Sequence, residues 1–435
     1  MIFYTNSIGL INYTSINFYT NLFSLINYTS IIFYTNKNQV ILMNSKPLFL
    51  HDDLDKYFYN RKEDIKKLKY QINSLNYSLP QQILLTGYRG VGKTYLLKKI
   101  MHDIEPNIIC TYIDISKIYA LEKRKLTIET VLIELLKEMN QSIQLNQYKN
   151  KYKAKIIELI DNLKLKKYDF QDIAEILKIP IPKAETDYRK LSQFVMEFPQ
   201  KIVDDIDEIN GFVIIIDEFQ MLRKIKKLDK FFWLIRSFNQ TQHNVSYIFT
   251  GSISQSSEVI NELNGESGPF GGRLQQITID PFTKQETQSY FKEKMSEIKF
   301  TDDGFERFYK CTRGIPLYIN SFYNVMDSTQ LYTSEIVKKT FYTNMDQILI
   351  MQVKVWSSLN ENEKNIVQIL VDENSLAWGE LLEKTNLSRS TFNKYLTNLK
   401  YKGIVTYIGK KYAIEDDMLK TWLQHEKEVN GFYPI

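Results

Sequence analysis

The stretch Gly87-Tyr88-Arg89-Gly90-Val91-Gly92-Lys93-Thr94 constrains this chain more than any other. It fits G-x-x-x-x-G-K-T, a pattern that has a physical meaning only between a strand and a helix. An apolar run from Gln82 to Leu85 leads directly into it, which supplies the strand. Glycines let the backbone curl so that successive amides face a row of phosphates, and the following helix adds its positive N-terminal end. Gly87, Tyr88, Arg89, Gly90, Val91 and Gly92 therefore form a candidate phosphate cradle. Lys93 is placed to reach the β- and γ-phosphates of ATP or GTP, and the Thr94 hydroxyl to ligate Mg2+.

Nucleotide chemistry also needs acids. Phe212 to Ile216 is an apolar run that ends in Asp217-Glu218, which predicts two carboxylates at the C-terminal end of a buried parallel strand. Asp217 is the expected magnesium ligand and Glu218 the expected base for an attacking water. Taken without the loop, an acidic pair at a strand end reads equally as a cap on the next element. Ile108 to Ile113, Val245 to Thr250 and Gln275 to Ile279 supply three more strands. Thr250 and Ser252, at the tip of one of them, are candidate γ-phosphate sensors, with strand or turn capping as the plainer reading.

Between Ser116 and Asn210, helical periodicity occurs at 127–139, 153–163 and 190–209. The last feeds the strand that bears Asp217. The rest, 117–185, reads as a helical insertion whose lysine runs form solvated faces. Residues 1–42 differ in kind. Phe3-Tyr4-Thr5-Asn6 returns at 18–21 and 33–36, Ile11 to Ser15 returns at 26–30, and Lys37 is the only charge. Copies so closely spaced cannot stack as a solenoid. The segment is expected to be a repetitive leader, disordered or translated upstream of a true start at Met43; a β-prone tail is the alternative. Its Asn, Tyr and Thr residues interrupt every apolar run, so neither export nor a membrane span is expected. Cys110 and Cys311, too few for a disulfide framework, suit the cytoplasm.

These motifs resemble the archaeal ATPase family, a branch of the AAA+ superfamily related to the signal-transducing STAND NTPases. The resemblance spans about 48–430. It rests on Phe58-Tyr59-Asn60-Arg61-Lys62-Glu63, the loop 87–94, Ile215 to Gln220, Gly251-Ser252, Gly272-Arg273 and Gly314-Ile315-Pro316-Leu317-Tyr318. It implies an α/β P-loop NTPase with a parallel AAA+-type sheet at 43–281, a helical lid at 282–345 and a C-terminal winged helix-turn-helix at 346–430. It further implies that Phe58 and Arg61 pack under the base, that Gly314 and Pro316 lie against adenine and ribose, and that Arg273 reaches a neighbouring subunit's γ-phosphate in a homo-oligomer. Read from the residues alone, Pro316 is equally a helix-starting proline and Arg273 a solvated turn residue. Arg313 is a candidate lid sensor.

Residues 360–425 carry their own pattern: helices at 361–372, 378–385 and 388–400, then strand-like runs at 404–408 and 412–414 around Gly409-Lys410-Lys411. Short helices followed by a hairpin describe a winged helix. Ser388 is the expected N-cap of the third helix. Arg389, Lys394, Lys400, Lys402, Lys410 and Lys411 offer a surface for DNA phosphates, although winged helices also serve as protein contacts. The expected activity is hydrolysis of ATP as a molecular switch. A DNA-binding regulator controlled by ATP and a nucleotide-dependent protein scaffold are the alternatives.

Overall fold

A computed structural model describes residues 53–122, 126–146, 188–225, 228–251, 260 and 263–434. Two short backbone pairings are described in addition, both antiparallel: Ile32–Tyr34 with Val40–Leu42, and Phe170–Gln171 with Ile181–Pro182. The remainder of the 1–42 leader and most of the 117–185 insertion lie outside the described residues.

Five strands form one parallel sheet: β1 (Gln82–Gly87), β2 (Ile108–Asp114), β3 (Gly211–Asp217), β4 (Val245–Thr250) and β5 (Gln275–Ile279), in the order β2-β3-β4-β1-β5. Every residue of β3 and β4 is buried, as a strand with helices on both faces requires. Side chains alternate between faces. Ile214 and Ile216 join one apolar cluster, and Val213 and Ile215 the other.

The second of these faces is covered by α1 (Lys62–Asn73) and α2 (Lys93–Asp103). The first is covered by α4 (Ile128–Leu145), α5 (Tyr188–Asp205) and α6 (Leu228–Asn239), with α3 (Ile115–Leu121) between β2 and α4. Helix α4 corrects the sequence reading. It falls inside the segment read as a helical insertion, and the helix itself covers the periodicity at 127–139, yet Ile128, Leu132, Leu135, Leu136, Met139 and Ile143 are buried in the sheet's own cluster. Spacing of i, i+4, i+7, i+8, i+11 and i+15 puts these residues on one stripe, and the sheet is what that stripe covers.

After β5 the chain leaves the sheet at Pro281 and builds α7 (Lys284–Lys294), α8 (Asp302–Thr312), α9 (Pro316–Tyr323) and α10 (Ser334–Thr343). Helix α11 (Ile350–Ser357) leads into α12 (Glu361–Glu373), α13 (Trp378–Thr385) and α14 (Arg389–Tyr401). Then follow the hairpin of Val405–Ile408 with Lys411–Ile414 and a final helix, α15 (Asp417–Asn430). The hairpin is the wing, and Ser388 caps α14 by accepting from the Thr391 amide. Lid and winged helix share one apolar cluster that runs from Phe282 to Leu423. The boundary near residue 345 therefore passes through a packed core, with Phe341, Met345, Ile348 and Leu349 all buried in it.

Candidate nucleotide-binding site

Because the strands are parallel and in register, Gly87, Asp114, Asp217 and Thr250 arrive together at the carboxyl edge of the sheet. That edge is where open α/β sheets bind ligands. The loop from Tyr88 to Gly92 turns there into the N-terminus of α2. Gly92 has φ +94°, and a Cβ built on it would meet nothing within 4 Å. Only glycine holds this conformation readily, and the space beside it is the open mouth of an anion cradle. Lys93 is buried and folded back on the loop, its Nζ donating to the carbonyls of Gly87 (2.7 Å) and Tyr88 (3.1 Å). Burial pulls its ammonium down to about 8, against the pull of Glu218 and Asp217.

Asp217 is held from three sides. Its Oδ2 accepts from the Thr94 hydroxyl at 2.8 Å and from the Tyr112 hydroxyl at 2.7 Å, while Oδ1 accepts from the Glu218 amide at 2.8 Å. A hydroxyl and a carboxylate side by side are hard oxygen donors that suit magnesium, an ion that keeps several waters and takes few protein ligands. Thr94 and Asp217 are thus the residues that would hold it. Glu218 sits in the left-handed region at φ 52°, an uncommon conformation for a non-glycine residue that recurs at functional sites. Burial raises its carboxyl above the usual range, reinforced by Asp217 and opposed by Arg89 and Lys93. The amide of Gln220 donates to its Oε2.

The residues implied by resemblance are distributed differently. Arg61 donates to the carbonyls of Asp280 (2.6 Å) and Val91 (2.9 Å) and stacks its guanidinium over Phe282 at 4.7 Å. It ties the phosphate loop to the sheet's exit. Phe58 lies against the Tyr95 ring, 5.9 Å between centroids. Asn60 reaches across to Glu286 in the lid at 2.6 Å. Gly314 has φ +70°, and a Cβ there would lie 1.8 Å from the Phe282 carbonyl oxygen. Pro316 occupies the first turn of α9, and the next amide, Leu317 N, donates to the Gly90 carbonyl at 3.2 Å. The lid is thereby in direct contact with the phosphate loop. Thr250 Oγ1 is buried at its strand end, and Ser252 lies outside the described residues.

Two arginines stand away from their own chain's site. Arg273 is exposed, two residues before β5, and Gln275 pairs with Ile83 at the start of β1. At ~3.3 Å per residue, that is roughly 13 Å below Gly87, at the opposite end of the sheet. Arg313, the candidate lid sensor, points to the winged helix instead and pairs with Asp417 at 2.7 Å.

Sequence reading missed the contact that joins the two halves. The Tyr88 hydroxyl, in the phosphate loop, donates to Asp416 Oδ1 at the N-cap of α15. Gln352 on α11 donates to the other oxygen of Asp416 at 2.8 Å and also to the Tyr318 hydroxyl. Burial, then the Asp416 charge, raises the Tyr88 phenol, so it stays a donor. Above this contact lies a cleft of about 2300 Å³. One wall carries Arg89, Thr94, Asp217 and Glu218, and the other carries Ser390, Asn393, Lys394, Thr397, Asn398 and Tyr401 of α14. The spacing of these six makes a single helical face. Phe392, Leu396 and Leu399 on the opposite face are buried.

A parallel sheet with this loop, an acidic strand end and a helical lid defines a P-loop NTPase of the AAA+ type. The family model for the ATPase domain predominantly from Archaea matches residues 58–322, more than half of the chain, and the chain belongs to that family. A model for winged helix-turn-helix DNA-binding matches 359–406. The Walker-type ATPase of Pyrococcus abyssi shares the fold, with 18% identity, a TM-score of 0.56, and coverage of 84% of this chain and 96% of that one. The ORC1 protein of Aeropyrum pernix, solved in complex with DNA, is more distant. It has 13% identity and a TM-score of 0.45, with 88% and 96% covered. No curated protein sequence matches the chain.

Proposed function

We propose that this protein hydrolyses ATP to ADP and phosphate and uses the cycle as a switch acting on its own winged helix. The observation that carries the reading is the unbroken set of contacts from the acidic pair, through the phosphate loop, to Asp416 of the C-terminal module. Glu218 accepts a proton from the water that attacks the γ-phosphorus in line, and ADP departs with the former bridging oxygen. Lys93, uncurled from the loop carbonyls, stabilises charge on the phosphoryl oxygens. Magnesium held by Thr94 and Asp217 would neutralise phosphate charge. Arg61 and the Gly314–Pro316 turn fix the loop and lid around the site, with adenine and ribose against the latter.

Tyr88 lies within the loop that triphosphate must reshape, so occupancy and the Asp416 contact are linked. Freeing that contact turns the α14 face out of the cleft. Phosphate release by the full chain tests the enzyme claim. Lys93→Ala should abolish ATP binding, and Glu218→Gln should keep binding while losing on the order of 100-fold or more in turnover. Unchanged release in Glu218→Gln would falsify the mechanism.

A second reading, ATP-controlled DNA binding, is favoured by the polar face of α14 beside the lysine-bearing wing. Removing Lys410 and Lys411 should then weaken DNA association and lower its salt slope by about 0.9 for each phosphate no longer neutralised. Salt-insensitive capture of a protein would support the scaffold reading instead. The exposed Arg273 supports a homo-oligomer in which it acts in trans. Both cysteines are free thiols, which supports a cytoplasmic setting.

A further inference from the structure

Gln220 is the last residue of the acidic motif. It follows Glu218 by two positions, in a short 3-10 turn (Phe219–Lys224) that begins as soon as β3 ends. Its Nε2 donates to Glu218 Oε2. Its other pole, Oε1, is buried and accepts no hydrogen bond among the described residues. That oxygen is pressed against the tip of β4, where a Cβ built on Gly251 would lie only 2.0 Å from it. A larger residue at position 251 would therefore have to displace the Gln220 amide. Thr250 Oγ1, one residue earlier on the same strand end, is a second buried oxygen with no partner among the described residues.

Buried polar atoms in native proteins are nearly always satisfied, so an orphan oxygen on the side chain that bonds a candidate base marks a place that a hydrogen-bond donor enters. Glu218 holds a left-handed conformation, a strained backbone of the kind that clusters at functional sites. Gln220 supplies a bond to that side chain while itself resting on Gly251 at the tip of β4.

We propose that Gln220 is the positioning residue for hydrolysis: wedged against Gly251, its amide aims the Glu218 carboxylate at the attacking water. The inference rests on the ATPase reading above. The bond is charge-assisted, and its loss should cost roughly 10- to 100-fold in turnover. Substrate binding uses other groups, so the effect falls on kcat and leaves KM in place.

The test uses the full chain. Gln220→Met keeps length and removes the donor; it should lower kcat 10- to 100-fold while the ATP dissociation constant and the magnesium half-saturation stay within about twofold of the parent. In the Glu218→Gln background the same replacement should cause no further loss, because the carboxylate it aims is gone. Gly251→Ala should reproduce the Gln220→Met defect and add nothing to Gln220→Ala. Wild-type kcat in Gln220→Met, a loss that multiplies with Glu218→Gln, or a parallel fall in ATP affinity would each overturn the proposal. If the parent protein releases no phosphate, the ATPase reading itself fails, and ATP affinity reports that separately.

Discussion

Replacing Tyr88 with phenylalanine removes one oxygen from the phosphate loop and leaves its backbone alone. In the structure that oxygen donates to Asp416, which also accepts from Gln352 and caps α15 through the amides of Met418 (3.0 Å) and Leu419 (3.1 Å). A hydrogen bond to a charged partner contributes about 1.5–3 kcal/mol, but Asp416 keeps three other donors, so the lower end applies, about 1–2 kcal/mol. That raises the share of molecules in which Asp416 and the start of α15 have moved off the phosphate loop by a factor of roughly 5–30. Deuterium uptake by the amides of α14 and of residues 411–419 reads this opening, with α4 as an internal reference that should not change. A cycle with Asp416→Asn isolates the pair, and a coupling of about 1–2 kcal/mol is expected. Additive effects, with coupling below about 0.3 kcal/mol, would refute the idea that this bond holds the module to the loop.

Gly314→Ala should destabilise the lid by about 2–4 kcal/mol, visible as a lowered melting temperature, because a left-handed φ and a clash with the Phe282 carbonyl act together. Ser388→Ala should cost about 1 kcal/mol in urea unfolding by uncapping α14. Arg273→Ala subunits mixed with Glu218→Gln subunits should recover turnover that neither has alone, whereas no recovery at any concentration would remove the trans role. Burial pushes Cys110 up to about 12 and Cys311 up to about 11, so both thiols stay protonated at pH 8. Iodoacetamide should alkylate the folded chain on the order of 100-fold more slowly than the unfolded one, with the folded rate rising about tenfold per pH unit up to 10. Folding raises both values, so above pH ~8.5 the folded state binds more protons than the unfolded and stability falls as pH rises.

The sheet was legible because its strands are short apolar runs with punctuation. Val245–Thr250 and Gln275–Ile279 occur where the sequence places them, and the others gain a residue or two at their ends. Helix α4 is legible from its periodicity, but its place in the core is not, because only a sheet to cover tells a buried stripe from a surface one. Local motifs carried the loop and the acidic pair as far as spacing allows. They are silent on partners far apart in the chain: Tyr88 with Asp416, Arg313 with Asp417, Asn60 with Glu286. Polar pairs of this kind leave no periodic trace. Tyr112 was within reach, since the register sets it opposite Ile215, two residues before Asp217.

The single apolar cluster from Phe282 to Leu423 bears on how such a chain can be recombined. Cutting at residue 345 would strip cover from Phe341 and from Ile348 at once, leaving two greasy fragments in place of two modules. A graft that gives this P-loop core a different C-terminal domain must carry α7 to α15 as one cassette, with the cut made at Pro281. The same unity makes that cassette a stiff arm, so a small tilt at its root on the sheet becomes a larger sweep at the wing.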